Sequence, residues 1–318
     1  MCASLPTVRD RTVRDRRRHG AGEAVVKLFS ATVASEQPYG LGEGPLWDER
    51  HGRVLWVDID AGLVYTGRLE GGTVVAGGRL GFAETVGAVA CSADGQLVVA
   101  GARDVYRVAP GSQPEVLARL IGAGKASRLN DGGCDPAGRF LIGSMALDSR
   151  TGEECLYRLG ADGGVTIVDA DLTLSNGLAW SPDGSVLYSV DTAPAVIWAR
   201  PYDARTGECG ARAAVMTVSD GSPDGLCVDT AGNLWVAVWG AGEVRCYSPA
   251  AERLATVTVP APHTSSVAFV GPARDALLIT TARSQLSSVA LDAFPLSGHL
   301  FIAHVEATGV PVTPWSGV

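Results

Sequence analysis

The sequence lacks the signatures on which several common chemistries depend. No CxxC pair occurs among its seven cysteines (Cys2, Cys91, Cys134, Cys155, Cys209, Cys227 and Cys246), and the count is odd, which fits neither a thiolate zinc framework nor a disulfide scaffold. Most of them sit in apolar, strand-like runs where a thiol acts as a small hydrophobe, and the cytoplasm is the expected compartment. The five histidines have no HExxH or other ligand spacing and no GxSxG elbow is present, which disfavours a zincin and a serine hydrolase. Around Gly122, Gly124 and Lys125 a phosphate loop is incomplete: Arg119 stands where its first glycine belongs, and Ala126 replaces the required Ser or Thr.

Basic residues are too few for a nucleic-acid partner. The 26 Lys and Arg are outnumbered by 34 Asp and Glu, a net charge of −8, whereas affinity for a phosphate backbone comes from clustered cations. An apolar run of roughly 18 to 20 residues, the length that spans a bilayer, is also missing; the stretch from Ala24 to Ala34 is too short and carries Lys27. No membrane partner is expected. The cluster Arg9, Arg11, Arg14, Arg16, Arg17 and Arg18 is not followed by an apolar segment and cleavage site. Residues 1–36 are therefore expected to form a disordered basic extension, and 37–318 a single domain.

Glycine is what the chain has in excess. Forty of 318 residues are glycine, well above a background of about 7%, and charged residues are only 19% against 46% hydrophobic. The chain can bury a large core and must turn often. A turn signal followed by a β-rich run recurs six times: ERHGRVLWVD, SADGQLVVAG, DPAGRFLIGS, SPDGSVLYSV, DTAGNLWVAV and a degenerate GPARDALLIT. The turn positions Gly52, Gly95, Gly138, Gly184, Gly232 and Arg274 lie 42 to 48 residues apart, the length of a four-stranded propeller blade. No window supports an amphipathic helix of ten or more residues. The spacing predicts an all-β fold, a six-bladed β-propeller with four-stranded blades around a central metal-containing channel.

In such a fold the first strand of each blade lines the channel, so equivalent repeat positions meet on one axis. Counting back eight or nine residues from each turn position gives Glu43, Val86 or Gly87, Asn130, Asn176, Asp224, and Ser265 or Ser266. Asn-Gly and Asp-Gly steps are ordinary turn formers, but here acids and amides fall at one register among apolar neighbours. Carboxylates gathered on an axis repel and resist ionising unless a cation joins them. The all-oxygen set suits one divalent cation, calcium, magnesium or manganese, with zinc as an alternative.

The stretches GEGPLWDERHGRVLWVDI, RLNDGGCDPAGRFLIGSM, LSNGLAWSPDGSVLYSVDT and SPDGLCVDTAGNLWVAVWG, with a fainter HTSSVAFVG, resemble the SMP-30 (senescence-marker-protein), gluconolactonase and luciferin-regenerating enzyme family, to which regucalcin belongs. The resemblance implies a metal held by Glu43, Asn176 and Asp224. It implies sugar contacts from Arg128 and Asn130, and a further acidic substrate contact for which Asp148 is the nearest candidate. It also implies a hydrolase that opens a sugar lactone of the aldonolactone type.

For that reaction a cation with open positions would polarise the carbonyl and acidify a water. Asp224, or Asp131 beside Asn130, would accept the water proton, and Arg128 and Asn130 would orient the ring hydroxyls. A small-molecule sugar lactone is the expected partner, to a monomer or weak homo-oligomer. Two other readings stay open: a paraoxonase-like esterase on a non-sugar ester, and a non-catalytic calcium-binding propeller.

Overall fold

A computed structural model describes residues 26–160 and 163–317; the arginine cluster between Arg9 and Arg18 lies outside them. The six repeats form six sheets, each running from an inner to an outer strand. Blade one is Gly42–Asp48, Arg53–Asp58, Leu63–Glu70 and Thr73–Gly81. Blade two is Ala88–Cys91, Leu97–Ala100, Asp104–Val108 and Glu115–Arg119. Ser127–Cys134, Phe140–Ala146, Glu154–Leu159 and Val165–Leu172 make blade three. Ser175–Trp180, Val186–Asp191, Val196–Pro201 and Ala213–Thr217 make blade four. Blade five contains Ser222–Val228, Leu234–Trp239, Glu243–Tyr247 and Arg253–Thr258. Blade six begins with Thr264–Val270, Ala276–Thr281 and Phe301–His304. Each inner strand contacts the next, and that of blade six contacts that of blade one, so the ring closes. The propeller read from the repeat is the fold observed.

The repeated turn forms for a local reason. Its first residue carries a short oxygen side chain that satisfies backbone donors inside the turn, a use in which Asp and Ser excel. Asp135 Oδ1 accepts from the N–H groups of Ala137 and Arg139, both at 2.9 Å. Asp229 Oδ1 does the same for Ala231 and Asn233, and Ser92 and Ser181 hydroxyls cap Gln96 and Val186. Asp135 and Asp229 are almost wholly buried, and their second oxygens are occupied too, by the Arg139 guanidinium and Tyr202 hydroxyl in one case and by Asn233 and the Trp235 indole N–H in the other.

The core is divided rather than central. Six apolar clusters each straddle one pair of neighbouring blades. Between blades six and one, Trp56 is fully buried and stacks on Tyr65, with Tyr39 edge-on to both. No blade has a core of its own, so each is stable only with both neighbours in place.

Closure corrects the expected boundary at residue 36. Thr32–Val33 pairs antiparallel with Phe301–His304 and is the fourth strand of blade six. Lys27–Ser30 adds a fifth, parallel strand to blade five beside Arg253–Thr258. Ser35 Oγ accepts from the N–H of Leu300, and Lys27 pairs with Glu306. Residues 27–36 thus belong to the propeller. At the other terminus, the chain beyond blade six bridges to Asp229 at Gly309, then Trp315 N donates to Cys91 O and Ser316 N to Gly138 O. It crosses the turn end of the channel from blade five to blade two, roofing an apolar cavity of about 420 Å³. A short helix, Ser288–Ala293, capped by the Ser287 hydroxyl, interrupts blade six. Among the described residues no helix is long and apolar enough to cross a membrane.

Candidate functional site

At the end of the channel opposite that C-terminal run, the starts of the inner strands surround a cavity of about 230 Å³. Four inner strands, two of them together with the residue just before them, contribute two alternate residues each: Leu41 and Glu43, Arg128 and Asn130, Leu174 and Asn176, Ser222 and Asp224. Alternation alone would send every second side chain to one face, but the backbone adds a device. The register of the inner strand against the second strand shifts between Glu43 and Leu46, Leu129 and Gly132, Asn176 and Leu178, Pro223 and Leu226, and Thr264 and Ser266. These bulges re-aim side chains. Blade two, whose register position is Val86-Gly87, pairs without a shift.

Gly177 after Asn176 and Gly225 after Asp224 have a different role from the turn role their dipeptides suggest, whereas Gly44 after Glu43 has a φ of 52° and open space around it. Gly177 has an ordinary φ, yet a Cβ there would sit 2.6 Å from Leu226 N and 2.7 Å from Asp224 O. Gly225 likewise leaves no room beside Ser266, nor Gly87 beside Asn130. Close approach of neighbouring inner strands demands these glycines.

Hydrogen bonds tie the cup together across blades. Arg128 Nη1 donates to Asn130 Oδ1 at 2.7 Å and to Leu129 O, while Asn130 Nδ2 donates to Ser175 O. Asn130 therefore holds the guanidinium and anchors blade three to blade four. Thr192 Oγ1 donates to Pro223 O, so it must accept from Asn176 Nδ2 at 3.0 Å. That fixes the amide with Oδ1 turned away. Asn176 Oδ1 and Asp224 Oδ1 are buried with no hydrogen-bond partner among the described residues.

The electrostatics are unbalanced. Burial, then the charge of Asp131, pushes Glu43 up to about 8. Burial, then Glu43 and Asp131, holds Asp224 well above the carboxylate range, and burial lifts Asp131 to about 6. Arg128, lowered by burial, is the one cation among the described residues lining the cup. Three acids that resist ionising around one guanidinium, with two orphaned oxygens, fit a bound cation. Among the described residues no group of three or more His, Cys, Asp or Glu is placed to grip a metal; a ligand set here needs an amide oxygen, as Asn176 provides.

Six of the seven residues singled out from sequence are brought together. Glu43, Arg128, Asn130, Asn176 and Asp224 line the cup; Asp131 does not, but its charge acts on Glu43 and Asp224, and its Oδ1 accepts from Gly132 N. Asp148 is not among them. It lies exposed in a loop, its carboxylate bound by Arg150 Nε at 2.9 Å and its pKa lowered by that side chain. Of the lining residues not anticipated, four form a set of their own: Ile59, Met145, Thr192 and Trp239. They stand seven or eight residues after the turn glycines Gly52, Gly138, Gly184 and Gly232, at the end of the second strands. Counting forward as well as back from the same turn would have found them.

The family model described as the SMP-30/Gluconolactonase/LRE-like region matches residues 41–283. A pentonolactonase of Haloferax volcanii is 34% identical over 286 residues, covering 85% of this chain and 93% of its own. A 6-deoxy-6-sulfogluconolactonase of Pseudomonas putida is 33% identical over 277 residues, 86% and 94% of the two chains. Among solved structures, a calcium-binding protein, regucalcin, from Agrobacterium tumefaciens superposes with a TM-score of 0.85 at 31% identity, over 92% of this chain and 99% of that one.

Proposed function

The chain belongs to the SMP-30/gluconolactonase/LRE-like family, and from that membership together with the axial cup we propose that it is a hydrolase that opens a sugar lactone to its aldonic acid. The carrying observation is the charge balance of the cup, where two buried acids, Glu43 and Asp224, with half-buried Asp131 beside them, face one guanidinium. A divalent cation held by Glu43, Asn176 and Asp224, whether calcium, magnesium, manganese or zinc, would supply Lewis-acid polarisation of the lactone carbonyl and lower the pKa of water beside it.

The protein's own groups do the rest. Arg128, fixed by Asn130 and Leu129, presents a preoriented guanidinium to ring hydroxyls, a contact that an alkyl lactone would leave unsatisfied. Of the two candidate bases, Asp224 is favoured: its Oδ1 is unpartnered in the cup, whereas Asp131 Oδ1 is engaged by Gly132 and sits outside the lining. Asp224 takes a proton from the water as the water oxygen bonds to the carbonyl carbon; the ring C–O bond then breaks, and the departing ring oxygen takes that proton back from Asp224 as it becomes a hydroxyl.

The test is a pH-indicator hydrolysis screen across aldonolactones, aryl esters and phosphotriesters, with the protein stripped and then reloaded with each of the four metals. Aldonolactones should turn over fastest, and only when a metal is restored. Faster aryl-ester turnover would favour the paraoxonase-like reading, and metal binding without turnover of any substrate would favour a calcium-binding propeller.

A further inference from the structure

Trp239 enters the cup from the end of the second strand of blade five, and neither the metal ligands nor the proton transfer uses it. Its indole lies flat on the His263 imidazole, with centroids 4.0 Å apart and planes 17° from parallel, and the two residues are also bridged through their backbones. His263 Nδ1 lies 2.9 Å from the carbonyl oxygen of Ser284. A carbonyl only accepts, so Nδ1 carries the proton and the ring is held in one orientation. Burial lowers the His263 pKa, which keeps the ring neutral, an aromatic partner rather than a cation. One face of the indole is thereby taken by the protein, and what remains of it belongs to the cup.

The cup thus has two kinds of wall. Arg128, Asn130, Asn176 and Ser222 offer donors and acceptors, and Trp239 offers a rigid apolar plane. A cyclic sugar has two matching kinds of surface: an edge of hydroxyls, and a face of C–H bonds that packs on an aromatic plane. An acyclic ester has no rigid face to present. At roughly 30 Å³ per water, a cavity of about 230 Å³ equals about eight waters, room for one small ring and little more.

We propose that the Trp239 indole is the platform on which the carbon face of the sugar ring stacks, with His263 the positioning residue that holds it in plane. The assignment rests on the sugar-lactone reading above and narrows it to single rings that present a C–H face. Trp239 sets specificity by contact, and His263 acts only through it.

The experiment titrates anhydroglucitol, a cyclic polyol with no carbonyl, into the full chain by calorimetry, and in parallel measures KM and kcat for gluconolactone. The wild type should bind the polyol. Trp239→Ala and His263→Ala should each weaken that binding about fivefold to tenfold, the span of an aromatic contact, and His263→Phe should restore it. Trp239→Ala should raise KM by a similar factor with kcat little changed. Equal affinity in Trp239→Ala and wild type, or no binding of the polyol by wild type, overturns the platform. A His263→Phe as weak as His263→Ala overturns the positioning role. Polyol binding that follows the expected pattern in a protein that hydrolyses no lactone would sink the lactonase reading and leave the platform standing.

Discussion

In the proposed function Asp224 would meet two demands at one carboxylate, and Glu43 and Asn176 one each. In the proposed reaction Asp224 both holds the cation and receives a proton, so Asp224→Asn should lower kcat/KM by at least about a hundredfold, while Glu43→Gln should chiefly raise the metal concentration needed for half-maximal rate. Initial rates over a metal titration separate the two. The acids also set a pH dependence in the stripped protein. Glu43 holds its proton up to about 8 in the fold against an ordinary 4.5, so between those values the native state binds more protons than the unfolded one. Its stabilising effect is complete below about 4.5 and is lost as pH rises through about 8. Scanning calorimetry of metal-free protein should therefore show Tm falling from pH 5 to pH 8.5, with a shallower fall in Glu43→Gln; an identical slope in both would defeat the assignment.

At the scale of the strand, Gly177 and Gly225 are spacers between neighbouring inner strands. Gly177→Ala should cost about 1–3 kcal/mol, the usual penalty of overpacking, because its Cβ would press on backbone atoms of Leu226 and Asp224. Gly133→Ala, where a Cβ meets open space, should be near neutral; urea denaturation of both variants checks the contrast. The repeat and the axial register could be read from the sequence because each turn is specified by its own first residue, Asp48, Ser92, Asp135, Ser181 or Asp229. From those fixed points Glu43, Asn130, Asn176 and Asp224 follow by counting. Asp148 did not follow, because a loop acid answers to its neighbour two residues on, Arg150, rather than to any register. Thr32–Val33 was hidden for another reason: a two-residue strand has no periodicity, and only the absence of a fourth strand after Phe301–His304 marks its place.

At the scale of the molecule, stability is shared around a ring. Each apolar cluster needs two blades, and the ring is fastened where Thr32–Val33 joins the far end of the chain. A chain beginning at Val26 retains every described pairing and serves as the reference. One beginning at Gln37 loses both N-terminal strands and the Ser35 contact, and its Tm should fall by roughly 5–10 °C, as a loss of several kcal/mol does in a domain of this size. Equal melting of the two would show that the fastening contributes nothing. The C-terminal run from Gly309 to Ser316 has a different consequence. Lying across the turn end of the channel, it leaves the opposite end, where Glu43 and Asp224 stand, as the way in for the proposed neutral ring and the way out for the carboxylate it would become. Only the product would carry a net charge, so at that shared threshold the acids would act on departure and leave arrival untouched.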